Sequence, residues 1–323
     1  MTDPAVEWLL RSAEPAIRLR TLTELAGVSA GDARAVDTRH AVLDGPIVSG
    51  LLSGQQPGGG FGGHPYAKWS GAHWRLVSLM DLAVSADLEA ACRPMRAALE
   101  PVFEWLLHPG HNSTMPTING LIRRHASMEG NALGVAVHLG LAADLRAELL
   151  ARALVDWQWP DGGWNCDRHP GARHSSFNES LPAFRGLAAF AHATGDRAAH
   201  DSANRAAELL LRHRVLFSER SGEPIHPSVM KLHWPPYWHY DLLAGLRALA
   251  EAGYAGDRRA ADALDLLESK RRADGTWATE AAHFGKPGAK GSNVEVVDWG
   301  RVGQPSEPAT LTALLILRAA GRA

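Results

Sequence analysis

The residues able to do chemistry gather at a few places in the chain. Glu129, Glu179 and Asp241 are carboxylates near predicted helix starts, and His174 and His239 hold similar positions. Converging carboxylates and imidazoles are the groups of acid–base catalysis, because burial and mutual repulsion move a carboxyl pKa toward the working range. Cys166 and His174 share one loop, with His169 between them, and His239 opens the next apolar helix. A thiolate with two imidazoles suits zinc or iron, so Cys166, His174 and His239 form a candidate metal site. Cys166 as nucleophile with His174 as base is the alternative. Trp69, Trp234, Tyr237 and Trp238 crowd the same regions. With His73 and Asn131 they are expected to line a substrate pocket, where aromatic faces stabilise a cation. Asp298 is a further acid in the longest loop, which is read as a lid. Each group also has a plain reading. Acids and the trio Ser175, Ser176 and Asn178 cap helices, loop histidines bond backbone, and aromatics pack loops.

The elements that must position these groups repeat. Gln158, then Gly162-Gly163-Trp164, is a Gln-x3-Gly-x-Trp pattern between two amphipathic runs. Copies occur at Gln56 to Phe61, with Phe for Trp, and at Arg272 to Trp277, with Arg for Gln. Along the chain a charged-faced helical stretch alternates with a more apolar one, giving about six pairs. They fall at residues 3–27, 32–85, 88–142, 144–194, 197–253 and 257–321. Turns between pairs are tight, as at Ser85-Ala86-Asp87, whereas loops within a pair run to roughly 15–30 residues, a length that is usually functional. Strand signals are few, and Asn293 to Val297 is the best. Such pairs predict an all-α fold in one domain, an α/α toroid of about six hairpins with an inner apolar and an outer charged ring. The long loops would then deliver their residues to the starts of the inner helices, whose N–H groups favour negative charge.

Composition narrows the function classes. The 323 residues are 46% hydrophobic, enough for a large core, with a formal net charge of −2. That balance, with no basic patch, argues against a nucleic-acid partner. No apolar run has membrane-spanning length. Met1-Thr2-Asp3-Pro4 reads as a helix-capping start, unlike a signal peptide. Two cysteines, Cys92 and Cys166, fit a reducing cytoplasm rather than a disulfide framework.

The Gln-x3-Gly-x-Trp stretch and its copies resemble the QW repeat of the squalene cyclase and prenyltransferase superfamily. The segment Trp238 to Leu246 looks like one of its inner helices. Within it the chain is most similar to small single-domain squalene-cyclase-like bacterial proteins. The resemblance implies an α/α toroid whose cavity holds a small apolar, isoprenoid-like molecule. Triterpene cyclases of this kind protonate an alkene through an Asp-x-Asp-Asp motif, and this sequence has none; Asp262-Ala263-Leu264-Asp265 lies on an outer helix. Protein prenyltransferases hold zinc through an Asp-x-Cys and a His at successive inner-helix starts. His239 falls near that histidine, but Glu179 has no Asp-x-Cys beside it, and no obligate partner subunit is evident.

Three functions follow as expectations. The first is an acid–base cyclase, isomerase or lyase acting on a small apolar substrate. The second is a zinc or iron enzyme using Cys166, His174 and His239. The third is a non-catalytic binder of isoprenoid-like ligands.

Overall fold

The computed structural model describes residues 3–84, 88–291 and 293–322. These residues are mostly helical. Helix α1 spans Pro4–Leu10 and α2 Pro15–Arg20, the latter continued by a π-helical turn at Thr21–Leu25. Next come α3 (Ala33–His40), α4 (Pro46–Leu52), α5 (Ala72–Asp81), α6 (Glu89–Leu106) and α7 (Ala126–His138). They are followed by α8 (Leu145–Trp157), α9 (Phe177–Thr194), α10 (Arg197–Arg212), α11 (Leu242–Glu251), α12 (Ala261–Ser269) and α13 (Glu307–Ala319). The only named strands among the described residues are β1 (Thr117–Ile118) and β2 (Leu121–Ile122), an antiparallel pair in the loop before α7. The strand expected over 293–297 reduces to one bridge between Gly285 and Val294. The expected turn at Ser85-Ala86-Asp87 lies outside the described residues.

Helix starts follow side-chain caps, as the sequence indicates. Asp3, Asp144, Asp196 and Asp241 each accept a backbone N–H of the helix they precede, as do Ser176 and Ser306. Trp238 to Asp241, read from the sequence as helical, are loop; Asp241 caps α11 instead. Helix α10 shows the outer pattern, burying Ala199, Ala203, Ala206, Ala207 and Leu210 while its charged residues face outward. In α5, α7 and α9 burial runs almost all round the first two or three turns.

Packing links each apolar helix to the next. Helix α5 packs on α6 and α7, α7 on α8 and α9, α9 on α10 and α11, and α11 on α12 and α13. Helix α13 in turn contacts α1, α2 and the π-helical turn. Ser12 Oγ donates to Glu307 Oε2 at 2.5 Å, Arg318 Nη1 donates to Glu24 O at 2.6 Å, and Arg271 pairs with Asp3.

In each copy the first side chain of the motif donates to the backbone oxygen of the glycine four residues on. Gln158 Nε2 donates to Gly162 O (2.7 Å) and to Ser202 O on α10 (2.8 Å). Gln55 Nε2 donates to Gly59 O (2.9 Å) and to Pro94 O on α6 (2.7 Å). Arg271 Nε donates to Gly275 O (3.2 Å) and its guanidinium reaches Asp3, the cap of α1. Gln55 and Arg271 therefore take the glutamine role, one residue earlier than the sequence reading of Gln56 and Arg272. The glycine of each copy has positive φ, between 83° and 104°, which selects glycine. Trp164 Nε1 donates to Leu154 O (2.8 Å) and Trp277 Nε1 to Leu267 O (2.7 Å), each tying a loop to the helix before it. Trp164 N and Trp277 N donate to Ser180 Oγ and Thr310 Oγ1, tying it to the helix after.

Helices α7 and α9 approach closely in the core. A Cβ at Gly130 would overlap the Ala183 backbone, and one at Gly186 would overlap Gly130 O. Gly186→Ala is therefore expected to lower unfolding stability by about 1–3 kcal/mol through overpacking. Gly134→Ala, whose nearest neighbour is the flexible Met80 Sδ at 3.3 Å, should change it by less than about 1 kcal/mol. Urea melts of the two variants measure this, and equal effects would refute the tight crossing.

Candidate functional site

Three side chains that can bind a metal converge where α7 and α9 begin. His125 immediately precedes α7, Glu179 lies in the first turn of α9, and Cys166 lies in the loop leading to α9. One donor atom of each lies within 4.8 Å of the other two. Cys166 Sγ is 3.3 Å and His125 Nδ1 3.6 Å from the same oxygen, Glu179 Oε1. Ligands on a tetrahedral zinc at ordinary bond lengths stand about 3.3–3.6 Å apart, and the two distances to Glu179 Oε1 match that spacing.

The repeat loop explains the convergence. Ser176 N donates to Trp164 O at 2.8 Å, and Arg124 N donates to Asn165 O at 3.2 Å. The chain at 164–165 is thus pinned to α9 on one side and to the residue before His125 on the other. Glu179 Oε2 accepts Ser127 N at 2.9 Å and caps α7, which has no cap of its own. The cysteine and the carboxylate hold the His125 pKa up at about 10, burial opposing. Burial pushes Glu179 up, but His125 and the Ser127 N–H outweigh it and hold Glu179 below its usual value.

An aromatic and acidic wall stands beside the three. The Tyr66 phenol is pushed up by burial and by Glu179, Cys166 and Glu129. Its ring packs against Trp74 and Trp105, with centroids at 4.9 and 5.4 Å. Glu129 Oε1 faces His111 Nε2 at 3.0 Å and accepts Asn112 Nδ2 at 2.9 Å, while Oε2 is buried without a partner among the described residues. Glu129, His111, Arg124 and Trp157 line a pocket of about 340 Å³. His73 is buried, and burial pushes its pKa down to about 3, so it is a neutral imidazole.

The other expected residues lie elsewhere. His174 is exposed, and its backbone oxygen accepts Asn165 Nδ2. His239 is stacked between Trp238 and His283, with centroids at 4.0 and 3.5 Å, and burial pushes its pKa down to about 4. Cys166 therefore meets His125 and Glu179, not His174 and His239. Asp241 is occupied: Oδ1 caps α11 and Oδ2 accepts His233 N and faces His233 Nδ1 at 2.8 Å. Trp69 stacks on Tyr237 at 4.1 Å, Trp234 lies edge-on to Trp299, and Asn131 lines a cavity nearer the middle of α7. Asp298 is exposed and accepts Gly300 N in a turn. The buried acid of that loop is Glu295, which accepts from Tyr237 Oη and from Trp299 Nε1. Sequence reasoning missed His125, Tyr66, His111 and Glu295. The cue for His125 was its place just before an apolar helix, the criterion that selected His239.

No family model matches the chain, and no curated protein matches it.

Burial raises the Glu295 pKa to about 6 from an ordinary 4.5. A carboxyl raised on folding binds its proton more tightly in the native state, so stability is unaffected below about 4.5. It then falls as pH rises through 6, by on the order of 2 kcal/mol. The stability difference between wild type and Glu295→Gln should therefore shift by that amount between pH 4.5 and 7.5. Chemical denaturation at both pH values measures it, and a constant difference would refute the assignment.

Proposed function

We propose that the chain is a metal-dependent enzyme in which His125, Cys166 and Glu179 hold zinc and leave one position open. The observation that carries this is the convergence of Cys166 Sγ and His125 Nδ1 on the single oxygen Glu179 Oε1. Bound zinc would supply Lewis acidity at the open position. The chain's own groups do the rest. Tyr66, beside the three, is placed to hold or donate a proton, and the rings of Trp74 and Trp105 keep water from that side. His111, oriented by Glu129, is a second proton-transfer group.

The substrate we infer is small and largely apolar, held among the apolar helices. The architecture we infer is the α/α toroid of the squalene cyclase and prenyltransferase superfamily. Two observations support it: the bond to the motif glycine recurs in three copies, and Arg271 pairs with Asp3, the cap of α1, where Gln55 and Gln158 bond carbonyls of α6 and α10. No helix among the described residues is long and apolar enough to cross a membrane. We place the protein in the cytoplasm, where the Cys166 thiol that the metal needs stays reduced.

An acid–base enzyme without metal is the second reading. The buried Glu129 beside His111 at a pocket wall favours it, since a carboxylate facing an imidazole is an arrangement for proton transfer.

Metal analysis separates the two. Protein purified without chelator should carry close to one zinc per chain, and His125→Ala or Cys166→Ser should remove most of it. His174→Ala and His239→Ala should not. Added zinc at a hundred times its Kd should stabilise the stripped protein by about 2.7 kcal/mol. No metal on purification and no stabilisation by zinc would leave the acid–base reading in its place.

A further inference from the structure

Arg123 lies just ahead of His125 in the chain and is fully buried, with 0% of its surface exposed. Of its three guanidinium nitrogens only Nη2 is bonded, to Ala172 O at 2.9 Å. Nε and Nη1 are buried without hydrogen-bond partners among the described residues. An arginine keeps its charge at every working pH, so its burial has a cost that one carbonyl does not offset. An uncharged side chain of similar length is the less costly occupant of such a place. The guanidinium is therefore poorly explained by stability, and its contacts suggest another role.

Those contacts fall on both limbs of one loop. The guanidinium stands over the Trp159 ring, 4.5 Å from its centre, and Trp159 precedes Cys166. Ala172, which accepts from Nη2, follows Cys166. Trp159 Nε1 in turn donates to Ile122 O at 2.7 Å. On the far limb Asn119 Nδ2 donates to Pro170 O at 3.1 Å, and Asn165 Nδ2 closes the loop on His174 O at 2.9 Å. The segment 119–123 thus grips the loop before and after the thiol, then runs directly into His125. A planar fork suits this task, because its face lies on a ring while its edge donates to a carbonyl. An ammonium is a point charge without that plane.

We propose that Arg123 is a positioning residue, which holds the Cys166 loop so that the thiol meets His125 and Glu179. It acts through the loop, as groups behind a metal ligand fix where that ligand stands. The inference rests on the metal reading for what the three side chains do, but not for where they are held.

The test uses the full chain, stripped of metal, with cobalt(II) as the probe, because a cobalt–thiolate bond has its own charge-transfer absorption. Arg123→Met should keep the urea midpoint of the wild type or raise it, yet weaken cobalt binding about ten- to hundredfold. At saturating cobalt its thiolate band should also be weaker than that of the wild type. Arg123→Lys should fall between the two proteins, and it carries the same measurements should Arg123→Met fail to fold. A second readout needs no metal. Alkylation of Cys166 by iodoacetamide, followed by peptide mass spectrometry, should run at least about threefold faster in the variants as the loop opens locally. Unchanged alkylation of Cys166 would overturn the proposal whether or not metal binds. A lowered urea midpoint with unchanged cobalt affinity would also overturn it, since a merely structural residue behaves so. Wild type that binds no cobalt, with alkylation still faster in the variants, would sink the metal reading and support the positioning role.

Discussion

The site depends on how closely α7 and α9 can approach. Their crossing has no side chain between Gly130 and Gly186, so backbone meets backbone. That contact brings the start of α9 within reach of the start of α7. It lets Glu179 cap a neighbouring helix with one oxygen while the other faces Cys166 and His125. A larger residue at the crossing would push the helix starts apart, and the carboxylate would lose one of its two roles. The two roles reinforce each other: the bond to Ser127 N fixes the rotamer that aims Oε1 at the thiol and the imidazole.

The motif loops perform a similar task around the rest of the chain. The loops at Trp164 and Trp277 each join the end of one helix to the start of the next, and Gln55, Gln158 and Arg271 tie their loops to α6, α10 and the cap of α1. Polar bonds inside a packed region have few alternative arrangements, so the loops have a definite register. This accounts for long connections without secondary structure in a packed chain. Their backbone groups are met by Gln55, Gln158 and Arg271 instead of by a ladder.

Much of the helix pattern was legible in the sequence. Spacing of apolar residues marks α8, α9, α10 and α13, because helical periodicity is a local effect. The motif was legible too, but its register in two copies was not: Gln55 and Gln56 are adjacent, and only the bond to Pro94 O distinguishes them. The site was half legible. Cys166, Glu179 and Glu129 stood out as polar residues near helix starts. His174 and His239 stood out for the same reason, yet the first points to solvent and the second stacks on rings. Which histidine meets the thiol is decided by Arg124 N bonding to Asn165 O, a contact between two loops that no local pattern records. Glu295 was hidden behind its neighbour Asp298, since alternation along an irregular loop says little about which acid is inward.

The contacts of α13 with α1, α2 and the π-helical turn have a consequence for the order of events during synthesis. Residues 3–25 leave the ribosome well before α13, the surface that covers them. Until then Leu9 and Ile17, both fully buried in the finished molecule, lack part of their cover. The middle of the chain, where α7 meets α9, can pack much earlier. His125, Cys166 and Glu179 would then come together on a nascent chain whose α1 and α2 still await α13, and a chaperone that recognises apolar surface would find it there.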